Sequence, residues 1–231
     1  MTLIDLSREI DHRIPVHPSH PPVTICHWNT HEEVKQADDV IFTSASLWLN
    51  LGDHAGTHVD APRHFDDRPD ALSIDALPLE SFFTEAVCLD LGHVPLRSDV
   101  HVEDLKKATE AAGVEILPKD TVLLYMAFHE RTFGTPAYLT DFPGLTKESA
   151  EWLGAKDITS FGVEAISPGR PGRNNYLVHQ VCRDMGFTHM EGLCNLDKLI
   201  GKGRFRFIGF PLKIKGGTGS PIRAVALLGG E

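Results

Sequence analysis

VEDLKKATEAAGVEILPKDTVLLYMAF, residues 102–128, joins two patterns of different period. Val102, Leu105, Ala108 and Ala112 recur at helical spacing, Glu103 and Asp104 put negative charge in the first turn, and Gly113 supplies a stop. The following DTVLLYMAF, 120–128, is a continuous apolar run, the pattern of a strand buried on both faces. Outward from here the two patterns mix. AVCLDL (86–91) and ITSFGVEAI (158–166) read as strands, and SIDALPLESFF (73–83) holds a short helical turn. TKESAEWLGA (146–155) reads as a helix entered through Thr146, with Glu148 or Ser149 as its capping partner. NYLVHQVCRDMG (175–186) is a helix ended by Gly186, and FTHME (187–191) a short strand. FRFIGFPLKI (205–214) and SPIRAVALL (220–228) close the chain as two strands. Helices and strands alternate without a strict βαβ beat, which predicts one α/β domain over residues 1–231 with a mixed sheet.

Composition narrows the function classes. The 231 residues are 42% hydrophobic and 23% charged, enough for a full core without disulfide or metal staples. A net charge of −10 argues against nucleic acid as the partner, because no basic stripe is present to neutralise phosphates. Cys26, Cys88, Cys182 and Cys194 lie far apart with no CxxC pair, so reduced thiols are expected. The opening MTLIDLSREIDHRIPV is charged from residue 5 and lacks an apolar h-region, and no apolar run spans a bilayer. A soluble, cytoplasmic protein is expected. Pro15, Pro18, Pro21 and Pro22 enforce extended chain near the start.

HAGTHVDAPRHF, residues 54–65, carries the chemistry. Three of the chain's 13 histidines and an aspartate fall within it, all at even positions. On a helix Asp60 would lie about 200° round from His58. Gly56, Thr57, Val59 and Pro62 also disfavour helix. A straight strand from His54 to Asp60 would span about 20 Å, too far for side chains that each reach one ion. The chain must therefore curl between His54 and His58, and Gly56 is the residue able to bend there. The stretch ASLWLNLGDHAGTHVDA (45–61) reads as strand on either side of that curl, with Leu47, Leu49 and Leu51 alternating against Trp48 and Asn50.

Two imidazoles and a carboxylate suit Zn(II), Mn(II) or Fe(II). A hydrolase uses such an ion to polarise a carbonyl and to lower the pKa of water to about 7. It also needs a proton donor for the leaving group, and His64, beyond Pro62, is near enough to serve without being a ligand.

The same stretch resembles the HxGTHxDxPxHF motif of the putative cyclase family of metal-dependent hydrolases, which includes kynurenine formamidase, isatin hydrolase and trans-dienelactone hydrolase. The resemblance covers nearly the whole chain. DLSREIDHRIPVHPSHPPV (5–23), FPGLTKESAEWL (142–153), EGLCNLDKL (191–199) and FPLKIKGGTGSPIRAVA (210–226) resemble further family blocks in the same order. The resemblance implies a swivelling β/β/α fold with a barrel-like mixed sheet flanked by helices. It implies His54, His58 and Asp60 as ligands of a first ion, His64 as general acid/base, and His179 with Glu191, twelve residues on, as ligands of a second, Glu191 sharing in catalysis. His189 competes with His179, which is the favoured ligand. One or two Zn(II) or Mn(II) ions, a small aromatic or cyclic amide substrate and a homodimer or homotetramer follow. GVEAISPG (162–169) departs from the family's usual GVDTPSVD, with Glu164 in place of Asp, in a segment expected to border the substrate.

Hydrolysis of the C–N bond of an aryl formamide or cyclic amide is the reaction that the resemblance implies. Lactone opening is the alternative within hydrolases. A non-haem Fe(II) oxygenase is another, because two histidines and a carboxylate also form a facial triad, and a non-catalytic metal-binding protein is a third. Ser7, Ser167 and Ser220 lack the GxSxG context of a serine nucleophile. GGTG (216–219) reads as a tight connection, Phe205, Phe207 and Phe210 as core, and Trp28 and Trp48 as core or pocket wall. Of His12, His17, His20, His27 and His31, one is expected at the substrate.

Overall fold

The Thr121–Tyr125 strand lies at the middle of a nine-strand sheet in the computed structural model, which describes residues 1–229. Across the sheet the strands run Thr2–Asp5, Val225–Leu228, Phe205–Ile208, Phe83–Asp90, Thr121–Tyr125, Ser160–Val163, Thr188–Glu191, His58–Asp60 and Gly219–Pro221. The four from Phe83–Asp90 to Thr188–Glu191 are mutually parallel, and the pairings outside them are antiparallel. The sheet is mixed as expected, and it curls into a half-barrel within a single α/β domain.

Alternation along the central strands makes two cores. Val87, Leu89, Val122 and Leu124 face one way, against Leu105 and Ala108 of the Val102–Ala112 helix, Leu153 of Lys147–Gly154 and Val178 of Arg173–Met185. Ala86, Cys88 and Leu123 face the other way, into the curl, with Leu6, Met190, Leu193, Phe205 and Phe207. Each fully buried leucine here contributes about 1.5–3 kcal/mol over an exposed one. The helix ends follow the sequence. The His101 N–H donates to Asp104 Oδ2, Thr146 Oγ1 accepts the Ser149 N–H, and Gly113 and Gly186 close their helices at φ 61° and 75°.

Some readings change. SPIRAVALL is two strands, Gly219–Pro221 at one edge of the sheet and Val225–Leu228 near the other, because the chain crosses the sheet between them. The 45–61 stretch is strand only at Ser46–Asn50 and His58–Asp60. Ser46–Asn50 pairs with Thr24–Asn29, and Val34–Ala37 with Val40–Thr43, in an arm built from hairpins outside the main sheet. Trp28 and Trp48 pack edge to face on that arm, 71% and 57% exposed, so they are neither core nor pocket wall. Phe205 and Phe207 are core, whereas Phe210 lies half-exposed against Phe83.

Candidate metal centre

Strand register brings the charged residues together. His58 pairs directly with Glu191, and Asp60 with Gly219, at the end of the sheet where the Thr188–Glu191 strand finishes. His54 returns to Asp60 because the chain curls at Gly56, whose φ is +69°. Its Nδ1 lies 2.8 Å from Asp60 Oδ1. His179 reaches the same carboxylate from the Arg173–Met185 helix, and Pro62–His64 forms a single 3-10 turn that swings His64 back over it.

Asp60 is the hub. Besides His54, His58 Nε2 lies 3.5 Å from it, His189 Nε2 3.3 Å, His64 Nε2 3.7 Å and His179 Nε2 3.9 Å. Glu191 accepts His189 at 3.3 Å and stands 3.4 Å from His58 Nε2. The residues expected as ligands or as acid/base, His54, His58, Asp60, His64, His179, His189 and Glu191, therefore meet at one place. His179 and His189 both arrive, with His189 the nearer and wholly buried, sandwiched between Phe65 and Phe161.

Burial by itself would raise Asp60 and Glu191, but the imidazoles override it. His189 and His54 hold Asp60 well below the carboxylate range, and His189 and His58 hold Glu191 at about 2. In return His189 rises well above its ordinary value, against burial, because Asp60 faces it, and His54 rises for the same reason. His64 goes the other way: burial, with only partial relief from Asp60, pushes it down to about 4. Burial also lowers His179, helped by His189.

The donors fit a divalent cation. Atoms bound to one ion at about 2.0–2.2 Å stand about 3.4 Å apart in a tetrahedron. Among the described residues, His54, His58 and Asp60 form one group whose donor atoms lie within 4.8 Å of one another, and Asp60, His179, His189 and Glu191 another that shares the aspartate. The outer nitrogens are tied back as metal-bound imidazoles require. His58 Nδ1 donates to Gly56 O at 3.0 Å, and His179 Nδ1 to Asn175 O at 2.8 Å. His54 Nε2 meets Thr218 Oγ1 at 3.0 Å, and that hydroxyl donates to Asp53 Oδ2 at 2.8 Å. The GGTG connection is thus a supporting wall of the centre, a role that its glycines alone do not signal.

A cavity of about 350 Å³ opens over the cluster, lined by His17, His20, His64, Phe65, Tyr176 and Arg183 among others. His20 stacks on His54 with ring centroids 4.7 Å apart, so two of the N-terminal histidines reach the cavity. Ile166 and Ser167 of the 162–169 segment also line it. Glu164 does not. Its carboxylate turns into the core and accepts the N–H groups of Met126, Phe128 and His129, and burial pushes it up to about 8.

Residues 4–170 match the family model described as putative cyclase. The chain belongs to that family. It is 34% identical over 202 residues to an isatin hydrolase of Roseibium aggregatum, covering 78% of this chain and 74% of that one. It is 28% identical to a kynurenine formamidase of Salinibacter ruber over 97% of both. An isatin hydrolase bound to the product analogue thioisatinate superposes with a TM-score of 0.83 at 26% identity, covering 99% of this chain and 92% of that one. Isatin hydrolase A from Ralstonia solanacearum gives 0.80 at 26%, with the same coverage. The cyclase-family protein described here is an enzyme of the hydrolase class.

Proposed function

We propose that the enzyme hydrolyses the carbon–nitrogen bond of an aryl formamide or a cyclic aromatic amide, using one or two Zn(II) or Mn(II) ions. The convergence of five imidazoles on buried Asp60, beneath an open cavity, carries this reading. His54, His58 and Asp60 would hold one ion, and Asp60, Glu191 and His179 or His189 the other. A bound ion supplies Lewis acidity at the carbonyl and lowers the pKa of water to about 7.

His64 does the proton work in this scheme. Pushed down to about 4, it is neutral at pH 7 and takes a proton as water adds to the carbonyl carbon. The protonated ring then delivers that proton to the departing nitrogen as the C–N bond breaks, leaving an amine and a carboxylic acid that gives up its remaining proton to solvent. His54 and His58 are braced by Thr218 and the Gly56 carbonyl, so they stay fixed while His64, with 27% of its side chain exposed, faces the cavity. Phe65 and Tyr176 flank the space where an aryl ring would lie.

Among the described residues no helix is long and apolar enough to cross a membrane. A homo-oligomer in the cytoplasm is part of the proposal, and the apolar surface of the arm, where Trp28, Ile41, Phe42 and Trp48 are all exposed, supports the oligomer. The deciding experiment is metal analysis of the purified chain, followed by assay of N-formylkynurenine, isatin and dienelactone on one sample. Turnover of either amide that disappears with chelator and returns with Mn(II) or Zn(II) supports the reading; a metal-free protein active only on the lactone overturns it.

A further inference from the structure

Arg8 is a buried cation, 7% exposed, whose hydrogen bonds go to carbonyl oxygens rather than to a carboxylate. Nε donates to Gly192 O at 3.1 Å and Nη2 to Gly56 O at 3.0 Å, while Nη1 is buried without a partner. The guanidinium lies 5.1 Å from the ring centre of Tyr138. Burying a charge against neutral groups is unfavourable in itself, so the two carbonyls it joins are informative. Gly56 is the bend between His54 and His58, and Gly192 directly follows Glu191.

The fork spans the gap between the two halves of the centre. Thr57 reinforces it: its Oγ1 accepts the Arg8 N–H at 2.9 Å and donates to Gly192 O at 2.6 Å. The approach is tight, since a β-carbon on Gly192 would sit 2.6 Å from Arg8 Nη2 and 2.7 Å from Gly56 O. Arg8 is itself anchored, as Leu6, two residues before it, is fully buried and accepts the Cys194 N–H at 3.0 Å.

We propose that Arg8 is the positioning residue of the metal centre: it locks the Gly56 bend to Gly192 and so sets the separation of His54 and His58 from Glu191. The proposal rests on the metal-centre reading above. Lysine cannot substitute, because one ammonium on a flexible stem does not bridge two carbonyls held at a fixed angle.

Metal-free wild type, Arg8→Lys, Thr57→Val and Thr57→Ser are titrated calorimetrically with MnCl2 alone, with circular dichroism and melting in EDTA recording the apo fold. Arg8→Lys is expected to keep the apo fold and to bind Mn(II) about 10- to 100-fold more weakly. Thr57→Val should weaken binding in the same direction and Thr57→Ser should restore it. The exposed Arg223→Gln, which breaks only the Asp5 ion pair, should bind as wild type does. Wild-type affinity in a folded Arg8→Lys overturns the proposal; if that variant does not fold, wild-type affinity in folded Thr57→Val overturns it. A wild-type chain that binds no Mn(II) removes the metal-centre reading instead.

Discussion

Gly219 packs directly against His54: a β-carbon there would stand 2.7 Å from the imidazole Cε1 and 2.9 Å from the Val59 carbonyl. The Gly219–Pro221 edge strand thus fixes the ring that faces Asp60, and no side chain can be added without moving it. Gly219→Ala should therefore lower metal affinity by tenfold or more and cost about 1–3 kcal/mol of stability from overpacking. Calorimetric titration beside urea unfolding checks both, and unchanged metal binding would show that the ring can yield.

His64 and Asp60 should separate cleanly on mutation. His64→Ala is expected to retain its metal and lose about 10²–10⁴ in kcat. Asp60→Ala should lose metal as well, because the hub carboxylate is gone. Elemental analysis paired with kcat distinguishes them; full turnover in His64→Ala would remove its proposed role.

Metal binding should release protons. Asp60 keeps His189 and His54 protonated more readily than free histidine, and a cation binding in their midst displaces those protons. Titration enthalpies in two buffers of different ionisation enthalpy should differ, showing protons freed on binding, and affinity should fall as pH falls. Equal enthalpies would contradict this.

The depressed pKa of His64 also predicts a slope in stability. The folded state takes up this proton near pH 4, whereas the unfolded chain takes it up near the ordinary 6.5. Between those values the unfolded state binds more protons, so stability falls as pH falls through the window, by up to about 1.4 kcal/mol per unit for this group. His54, shifted upward, contributes with the opposite sign. The difference between wild type and His64→Gln in EDTA isolates the His64 part, and parallel stability curves from pH 4.5 to 6.5 would refute it.

Glu164 is expected to matter for the fold. Three backbone N–H groups at the start of the Phe128–Thr132 helix have its carboxylate as their acceptor. Glu164→Ala should destabilise the protein by about 3 kcal/mol or more, since buried donors lose their partner. Urea unfolding measures it; a loss under about 0.5 kcal/mol would mean that water takes over the role.

The twelve residues from His54 to Phe65 determined much of the centre by themselves. Their spacing demands a curl, and Gly56 takes the positive φ that supplies it. The helices over 102–112, 147–154 and 173–185 were likewise legible, because capping residues and glycine stops act within a few residues of where they stand. Only the tertiary structure decided the rest. Glu191 meets His58 through antiparallel pairing across more than a hundred residues, and a strand's alternation is the same whichever neighbour it pairs with. For that reason periodicity could not choose between His179 and His189, which converge on Asp60 from a helix and a strand. Nor could it find Arg8 or Gly219, whose roles exist only where distant backbone segments touch.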